Sequence, residues 1–237
     1  MRGLEHMSHR IAVLTAHDHR MHEMGAMSIH DKKLYCARHG YHLELFTDGF
    51  DHSRPAAWSK LRFMESVLPS YDWVLWADTD LLIMNKEISL KGYIDDRHDI
   101  VAGIFWMNTA SARPEDWYTI HTGCFLMHNS PWSLEFLRMW WSQTQYVGVH
   151  LQEERALNYL HKTIKDVQGH VKTIPLRAFC SLAVHPVIIG TKLQECIYRP
   201  GDFVMHFLEM PRNEKLSYMH AIFSRLYPGI VLSSKED

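Results

Sequence analysis

Trp73-Val74-Leu75-Trp76-Ala77-Asp78-Thr79-Asp80-Leu81-Leu82-Ile83-Met84-Asn85 is the stretch from which the rest of the chain is best read. Its first four residues form an apolar run of the kind a doubly covered strand needs. Two carboxylates, Asp78 and Asp80, then flank a small Thr79, and the run Leu81 to Met84 is apolar again. Two acids between buried runs are costly unless something offsets their charge. A divalent cation does so: it is hard, oxygen-ligated, and able to hold phosphate oxygens on an open side. The plainer alternative is that both aspartates cap a turn. D-x-D is a short pattern, and both readings stay open on these residues alone.

Working backwards, Arg10 to Ala16 reads as a short buried strand, and His17-Asp18-His19 stands where a strand gives way to a helix. A helix is predicted over 21–38, with Met24, Met27, Ile29, Leu34 and Tyr35 facing the core and Gly40 ending it. Tyr41 to Phe46 is β-like. Ala57, Leu61, Met64 and Leu68 recur at helical spacing over Ala56 to Leu68, and Pro69 stops that helix. Strand, helix, strand, helix, strand favours a parallel sheet covered by helices. Ligands gather beyond the C-terminal ends of such strands. Thr15-Ala16-His17 and Asp78-Thr79-Asp80 both stand at such ends.

Working forwards, Ile100 to Phe105 and Thr122 to Met127 read as strands, with a loop over Met107 to Trp117 between them. Ser130-Pro131 opens a helix predicted to reach about Gln145, with Phe136, Leu137, Trp140 and Trp141 as its apolar stripe. A helix over Gln152 to Leu160 carries Glu153 and Glu154 near its start, and Phe203 to Phe207 is a short strand around His206. No repeat or linker interrupts the chain. It reads as a single domain over 10–237, after an N-terminal extension or cloning remnant over 1–9.

The composition fits that reading. Of 237 residues, 46% are hydrophobic and 22% charged, the balance of a globular chain. A net charge of -2 without a long basic run gives no footprint for nucleic acid. No apolar segment is long enough to span a bilayer, and the N-terminus lacks a signal-peptide core. The four cysteines, Cys36, Cys124, Cys180 and Cys196, form no C-x-x-C pair, so a zinc knuckle is not expected and a reduced, cytoplasmic protein is. Among eighteen histidines, His121 and His206 stand out.

Six stretches together resemble glycosyltransferase family 34, which contains fungal mannosyl- and galactosyltransferases and plant xyloglucan xylosyltransferases. They are Leu34 to Gly40 (LYCARHG), Trp58 to Leu61 (WSKL), Trp73 to Asp80, Thr122 to Trp141 (TGCFLMHNSPWSLEFLRMWW), Glu154 to Leu160 (ERALNYL) and Asp202 to Phe207 (DFVMHF). The chain is also similar to compact soluble transferases of large algal viruses. Several positions depart from the family pattern. His121 stands where Asn is usual, and Glu154 where Gln is usual. Leu208-Glu209-Met210 follows His206-Phe207 in place of Gly and Cys, so Arg212 or Lys215 must supply the lysine charge that normally comes next.

The resemblance implies a GT-A fold: an α/β domain with a Rossmann-like, mostly parallel sheet flanked by helices and D-x-D at a strand end. It implies a retaining, metal-dependent transferase moving a hexose or pentose from a nucleotide sugar, UDP-linked first and GDP-mannose next, to a glycan or glycoprotein acceptor. A nucleotide-sugar hydrolase or an inactive carbohydrate-binding relative are the alternatives. Asp78, Asp80 and His206 become the metal set, with Asp80 the direct ligand and Asp78 holding the metal through water or binding the ribose hydroxyls. That mixed oxygen and nitrogen set favours Mn²⁺ over Mg²⁺. Lys60 and Arg212 meet the phosphates, and Thr15, Ala16, His17 and Thr79 receive the nucleoside, with Tyr35 and Arg38 walling the base. His121 and Gly123 border the sugar, His121 counting with Glu153 and Glu154 among the catalytic residues, and Glu153 or Glu154 is nucleophile or orienting group. Most relatives carry a Golgi anchor, so a trimmed Golgi-lumen domain is the alternative to a cytoplasmic protein.

Overall fold

β1 (Ile11–Ala16) is buried from Ile11 through Leu14, because strands pair with it on both sides. The computed structural model describes residues 9–106 and 118–232. The loop expected over Met107 to Trp117 lies outside them. From β1 the chain enters α1 (His22–His39), β2 (His42–Phe46), α2 (Ser59–Val67) and β3 (Trp73–Ala77). Both β2 and β3 pair parallel with β1, as the strand-helix alternation predicts. Gly40 ends α1 at φ 68°, a left-handed turn in which its N–H bonds to the Cys36 carbonyl.

α1 departs from its expected face. Met24, Met27 and Tyr35 are buried, whereas Leu34 is 43% exposed and Ile29 only half-buried. Ser28, Asp31 and Lys32 are buried instead. The reason is what α1 covers: the turn after β3, whose backbone groups need polar partners. On α2, Leu61 and Met64 are buried as expected, but Ala57 before it is exposed and Trp58 fills the core in its place.

β4 (Leu81–Ile83) leaves the large sheet for a smaller one. β5 (Ile100–Trp106) and β6 (Tyr118–His128) then return to the large sheet. There follow α3 (Pro131–Trp141), α4 (Gln152–Thr163), α5 (Lys165–His170), β7 (Val171–Pro175), α6 (Leu176–Phe179), β8 (Ser181–Leu182), β9 (Val204–His206) and α7 (Arg212–Leu226). The large sheet has the order β2-β1-β3-β6-β5-β7, with β6 antiparallel to both neighbours. The small sheet is β4-β9-β8. α3 stops at Trp141 rather than near Gln145. The Ser142 hydroxyl and Gln143 amide both bond back to the Met139 carbonyl there, which offers the backbone an alternative to another helical turn.

One apolar cluster, including Trp58, Met64, Phe125 and Trp140, fills the side of the sheet under α2, α3 and α4. A second, including Tyr35, Trp73, Phe179 and Phe203, fills the other side and continues under the small sheet. Cys36, Cys124, Cys180 and Cys196 are buried free thiols. Among the described residues, no helix is long and apolar enough to cross a membrane.

Candidate active site

Asp78-Thr79-Asp80 is the bend by which the chain passes from β3 in the large sheet to β4 in the small one. Its backbone is pinned on every side. Asp78 N–H donates to the Gly123 carbonyl at 2.8 Å, and the Phe207 N–H donates to the Asp80 carbonyl at 2.9 Å. The Thr79 hydroxyl donates to the Ala16 carbonyl at 2.7 Å, which ties the bend to the end of β1. From below, the fully buried Lys32 ammonium donates to the carbonyls of Asp78 (3.2 Å) and Leu81 (3.4 Å). Burial pushes the Lys32 pKa down to about 8, against the pull of Asp31 and other acids nearby.

Each carboxylate has its own cation. The Asp78 carboxylate accepts from the Trp76 indole at 2.6 Å and faces the Lys60 ammonium at 3.2 Å. Lys60 also meets Glu153 at 2.9 Å and donates to the Thr122 carbonyl at 3.3 Å. Its side chain is only 4% exposed, unusual for a helix lysine. Burial works against its charge, but Asp78 and Glu153 more than offset that and raise its pKa. Asp80 faces His206 Nε2 at 3.1 Å and pairs with Lys215. Burial pushes the Asp80 carboxyl up, yet His206 and Lys215 together hold it well below the usual carboxylate range.

His206 reaches Asp80 because β9 runs antiparallel to β4 with His206 opposite Leu81. Ligand atoms of Asp78, Asp80 and His206 lie within 4.8 Å of one another. Two carboxylate oxygens and an imidazole nitrogen at that spacing fit a divalent cation.

Behind the floor runs a buried chain of hydrogen bonds. His206 Nδ1 meets His121 Nε2 at 2.9 Å, and His121 Nδ1 meets Glu154 Oε2 at 3.0 Å. The same Glu154 oxygen accepts from the Thr122 N–H at 3.1 Å. Burial pushes the Glu154 carboxyl up, but His121 and the Thr122 amide outweigh it, so its pKa is lowered. A lowered folded pKa contributes stability that is present above the unfolded value, near 4.3, and is lost as pH falls through the folded one. Glu154→Gln is therefore expected to cost about 1 kcal/mol near neutrality, the difference between a charge-assisted and a neutral hydrogen bond. That deficit should shrink toward zero in acid. Urea denaturation of both proteins in chelator from pH 3 to 7 measures it.

Gly123 lies against this chain. A Cβ there would stand 2.5 Å from His206 Cε1, 2.6 Å from His121 Nε2 and 3.0 Å from Asp78 Oδ2. Gly123→Ala is expected to destabilise by about 1–3 kcal/mol, as overpacking does. It should also push His206 away from Asp80 and weaken divalent-cation binding, read by melting temperature and calorimetry.

In front of the floor is a cavity of about 430 Å³ lined by Ala16, His17, Lys60, Trp76, Asp78, Thr79, Asp80, Glu153 and Arg212, among others. The His17 ring packs edge-on against His22, and the His17 backbone N–H donates to the Phe46 carbonyl at 3.0 Å. Arg212, at the first turn of α7, donates to the Arg20 carbonyl. Thr15 is buried one residue behind the cavity. His121, Gly123, Glu154 and His206 stand behind the lining. Tyr35 and Arg38 correct the expected base pocket, since neither lines it. The Tyr35 ring is wholly buried, its hydroxyl donating to the Ile88 carbonyl at 2.8 Å. Arg38 is on the outer face of α1, paired with Glu87. Lys32 and Trp76 were not anticipated as site residues. A tryptophan on β3 two residues before the aspartate that follows the strand is the available signal for Trp76; Lys32 gives none beyond its place on α1.

The sequence matches the family described as galactosyl transferase GMA12/MNN10 over residues 7–109 and 107–213. It is 27% identical over 180 residues to the probable alpha-1,6-mannosyltransferase MNN10 of Saccharomyces cerevisiae, covering 64% of this chain and 46% of that protein. It is 24% identical over 200 residues to an uncharacterized alpha-1,2-galactosyltransferase of Schizosaccharomyces pombe, covering 71% and 58%. The chain thus spans about half the length of the curated relatives it matches.

In three dimensions the chain is similar to a glycosyltransferase involved in glycosylation of the major capsid of PBCV-1. The TM-score is 0.66 at 16% identity, over 90% of this chain and 99% of that one. It is also similar to the galactosyltransferase LgtC, with TM-score 0.58 at 14% identity over 89% and 95%. These likenesses establish a GT-A fold. The chain belongs to the galactosyl transferase GMA12/MNN10 family of glycosyltransferases.

Proposed function

We propose that from residue 10 onward the chain is one catalytic domain that transfers a hexose or pentose from a nucleotide sugar, UDP-linked in the first instance, to a glycan hydroxyl. The observation that carries this reading is the convergence of Asp78 and Asp80, in the lining of a cavity at the ends of β1 and β3, with His206 directly behind them. Strand ends in open α/β sheets are where nucleotides bind. A divalent cation held there, Mn²⁺ by the mixed ligand set, would neutralise the diphosphate as the anomeric bond breaks.

The chain's own residues have separable tasks under this reading. Backbone groups at Ala16 and His17 receive the nucleoside, and Phe50 and Phe63 give its base an apolar wall. Arg212 supplies positive charge at the cavity mouth for the phosphates. Lys60 holds Asp78 and Glu153 in place from beneath. Of the two glutamates at the start of α4, Glu153 is the one that lines the cavity, so it is assigned the orienting role toward donor or acceptor. Glu154 is committed to His121 and Thr122 and supports the floor. Retention then follows a same-face route, with acceptor and leaving group on one side of the sugar and Glu153 beside them.

The test is a thermal-shift series of nucleotide sugars with Mn²⁺, with Mg²⁺ and with chelator, since a ligand that binds only the folded state raises its melting temperature. A shift with UDP-sugars that needs the cation supports the reading. Equal shifts with and without cation remove the metal from it. Product analysis with an acceptor panel then separates transfer from hydrolysis of the donor.

A further inference from the structure

We propose that His121, Cys180 and His206 form a second, buried metal site, which takes a thiophilic divalent cation of the zinc class. Sγ of Cys180 and ring nitrogens of the two histidines lie within 4.8 Å of one another, and all three residues are buried. Cys180 is fixed at the end of α6 by its N–H bond to the Leu176 carbonyl at 2.7 Å, just before β8 pairs with β9. A thiolate with two imidazoles is a ligand set for Zn²⁺, whereas Mn²⁺ and Mg²⁺ prefer oxygen.

The support around the two rings points the same way. Metal-bound histidines characteristically donate their other ring N–H to a carboxylate. Both do so here, His121 Nδ1 to Glu154 at 3.0 Å and His206 Nε2 to Asp80 at 3.1 Å. Carboxylates only accept, so each outer nitrogen carries a hydrogen. In neutral rings this leaves His121 Nε2 and His206 Nδ1 facing each other as bare lone pairs, 2.9 Å apart. A cation between them resolves that. Tetrahedral Zn–N bonds of about 2.0–2.1 Å place two nitrogens about 3.3 Å apart, so the rings need only part slightly. Gly123 leaves the space, because a Cβ there would meet both rings. The Cys180 thiol proton leaves to solvent as the metal–sulfur bond forms.

One consequence rests on the reading of Asp78, Asp80 and His206 as a cation site. The inner site uses His206 Nδ1 and the outer one Nε2. A neutral imidazole has a single lone-pair nitrogen, so the two sites exclude each other through this ring. A zinc-class ion is then an antagonist of the cavity metal.

Cobalt(II), a spectroscopic probe for thiolate ligation, tests the inner site in a non-thiol reductant. The expected result is a thiolate-to-cobalt charge-transfer band saturating at one equivalent and reversed by Zn²⁺. It should be lost in Cys180→Ser and Cys180→Ala, retained in Cys196→Ser, and weakened at least tenfold in affinity in His121→Asn. Melting curves confirm that each variant is folded. Absence of the band, or its persistence in both Cys180 variants, overturns the proposal.

Mn²⁺ binding followed by paramagnetic resonance tests the coupling. One equivalent of Zn²⁺ should weaken it at least tenfold in the native sequence and not in Cys180→Ser. A cobalt band with Mn²⁺ binding untouched by Zn²⁺ keeps the inner site and overturns the exclusion. A cobalt band with no Mn²⁺ binding under any condition overturns the cavity metal alone.

Discussion

Lys60→Met is expected to destabilise the protein by about 3–5 kcal/mol, which for a chain of this size lowers the melting temperature by roughly 6–20 °C. Methionine keeps the packing and removes the charge. Asp78, at 27% side-chain exposure, and Glu153, at 9%, are then left facing each other without a cation. An uncompensated charge in such a place costs far more than the pair contributed. The raised Lys60 pKa has the same origin, two acids outweighing burial. Adding Glu153→Gln to Lys60→Met should recover part of the loss, because residues in one charge network are not additive. Denaturant titration of the two variants and the native sequence measures both effects. A loss below about 1 kcal/mol would mean the two acids take up protons or water at little cost.

Asp80→Asn and His206→Ala should each weaken Mn²⁺-dependent UDP binding by about 100-fold or more. Loss of a residue that only supports a metal ligand costs 10–100-fold, and these two are assigned as ligands. Asp80→Asn also leaves Lys215 and His206 without their acid, so it should be the more damaging to the fold. The double variant should be little worse than the worse single one, since residues sharing one ion act as a unit. Calorimetry across a Mn²⁺ series gives all four affinities. Full additivity would separate His206 from the cation.

The order β1-α1-β2-α2-β3 was legible because apolar runs and helical spacing are local signals, and the parallel pairing follows from the alternation. The same signals failed on α1. Leu34 faces water there while Asp31 and Lys32 are buried, because the helix covers backbone polar groups rather than a purely apolar surface. Hydrophobic pattern cannot report that. Tyr35 has the spacing of a core residue and proves to be one, so assigning it to a base pocket ran against its own periodicity. β7 and α7 carry no clear signal in the sequence. β7 is a half-buried edge strand without clean alternation, and α7 buries only Met219 and Phe223.

The candidate site was legible in part. Asp78 and Asp80 announce themselves between two buried runs, but His206 and Cys180 acquire meaning only through the pairing of β4, β9 and β8. No local pattern encodes that partnership. Resemblance supplied it for His206, and nothing did for Cys180. In the sequence Lys60 has the look of a phosphate contact; the structure pairs it with Asp78 and Glu153 in the cavity lining, which makes stability the first thing its removal should affect.

The antiparallel pairing of β4 with β9 also sets an order of events during synthesis. Asp80 and His206 are 126 residues apart in the chain. At about 5–20 residues per second, roughly 6–25 s pass between their arrivals at the ribosome exit. Through that interval the large sheet can begin to form, while β4 has an open edge and its acidic turn has neither imidazole nor Lys215 beside it. Closing so long a loop is also the slow kind of contact to make. The nascent chain therefore passes through a stage with an unpaired strand edge next to the uncompensated Asp80 carboxylate. That is the stage at which a chaperone, or an early-bound cation, would have the most influence on yield.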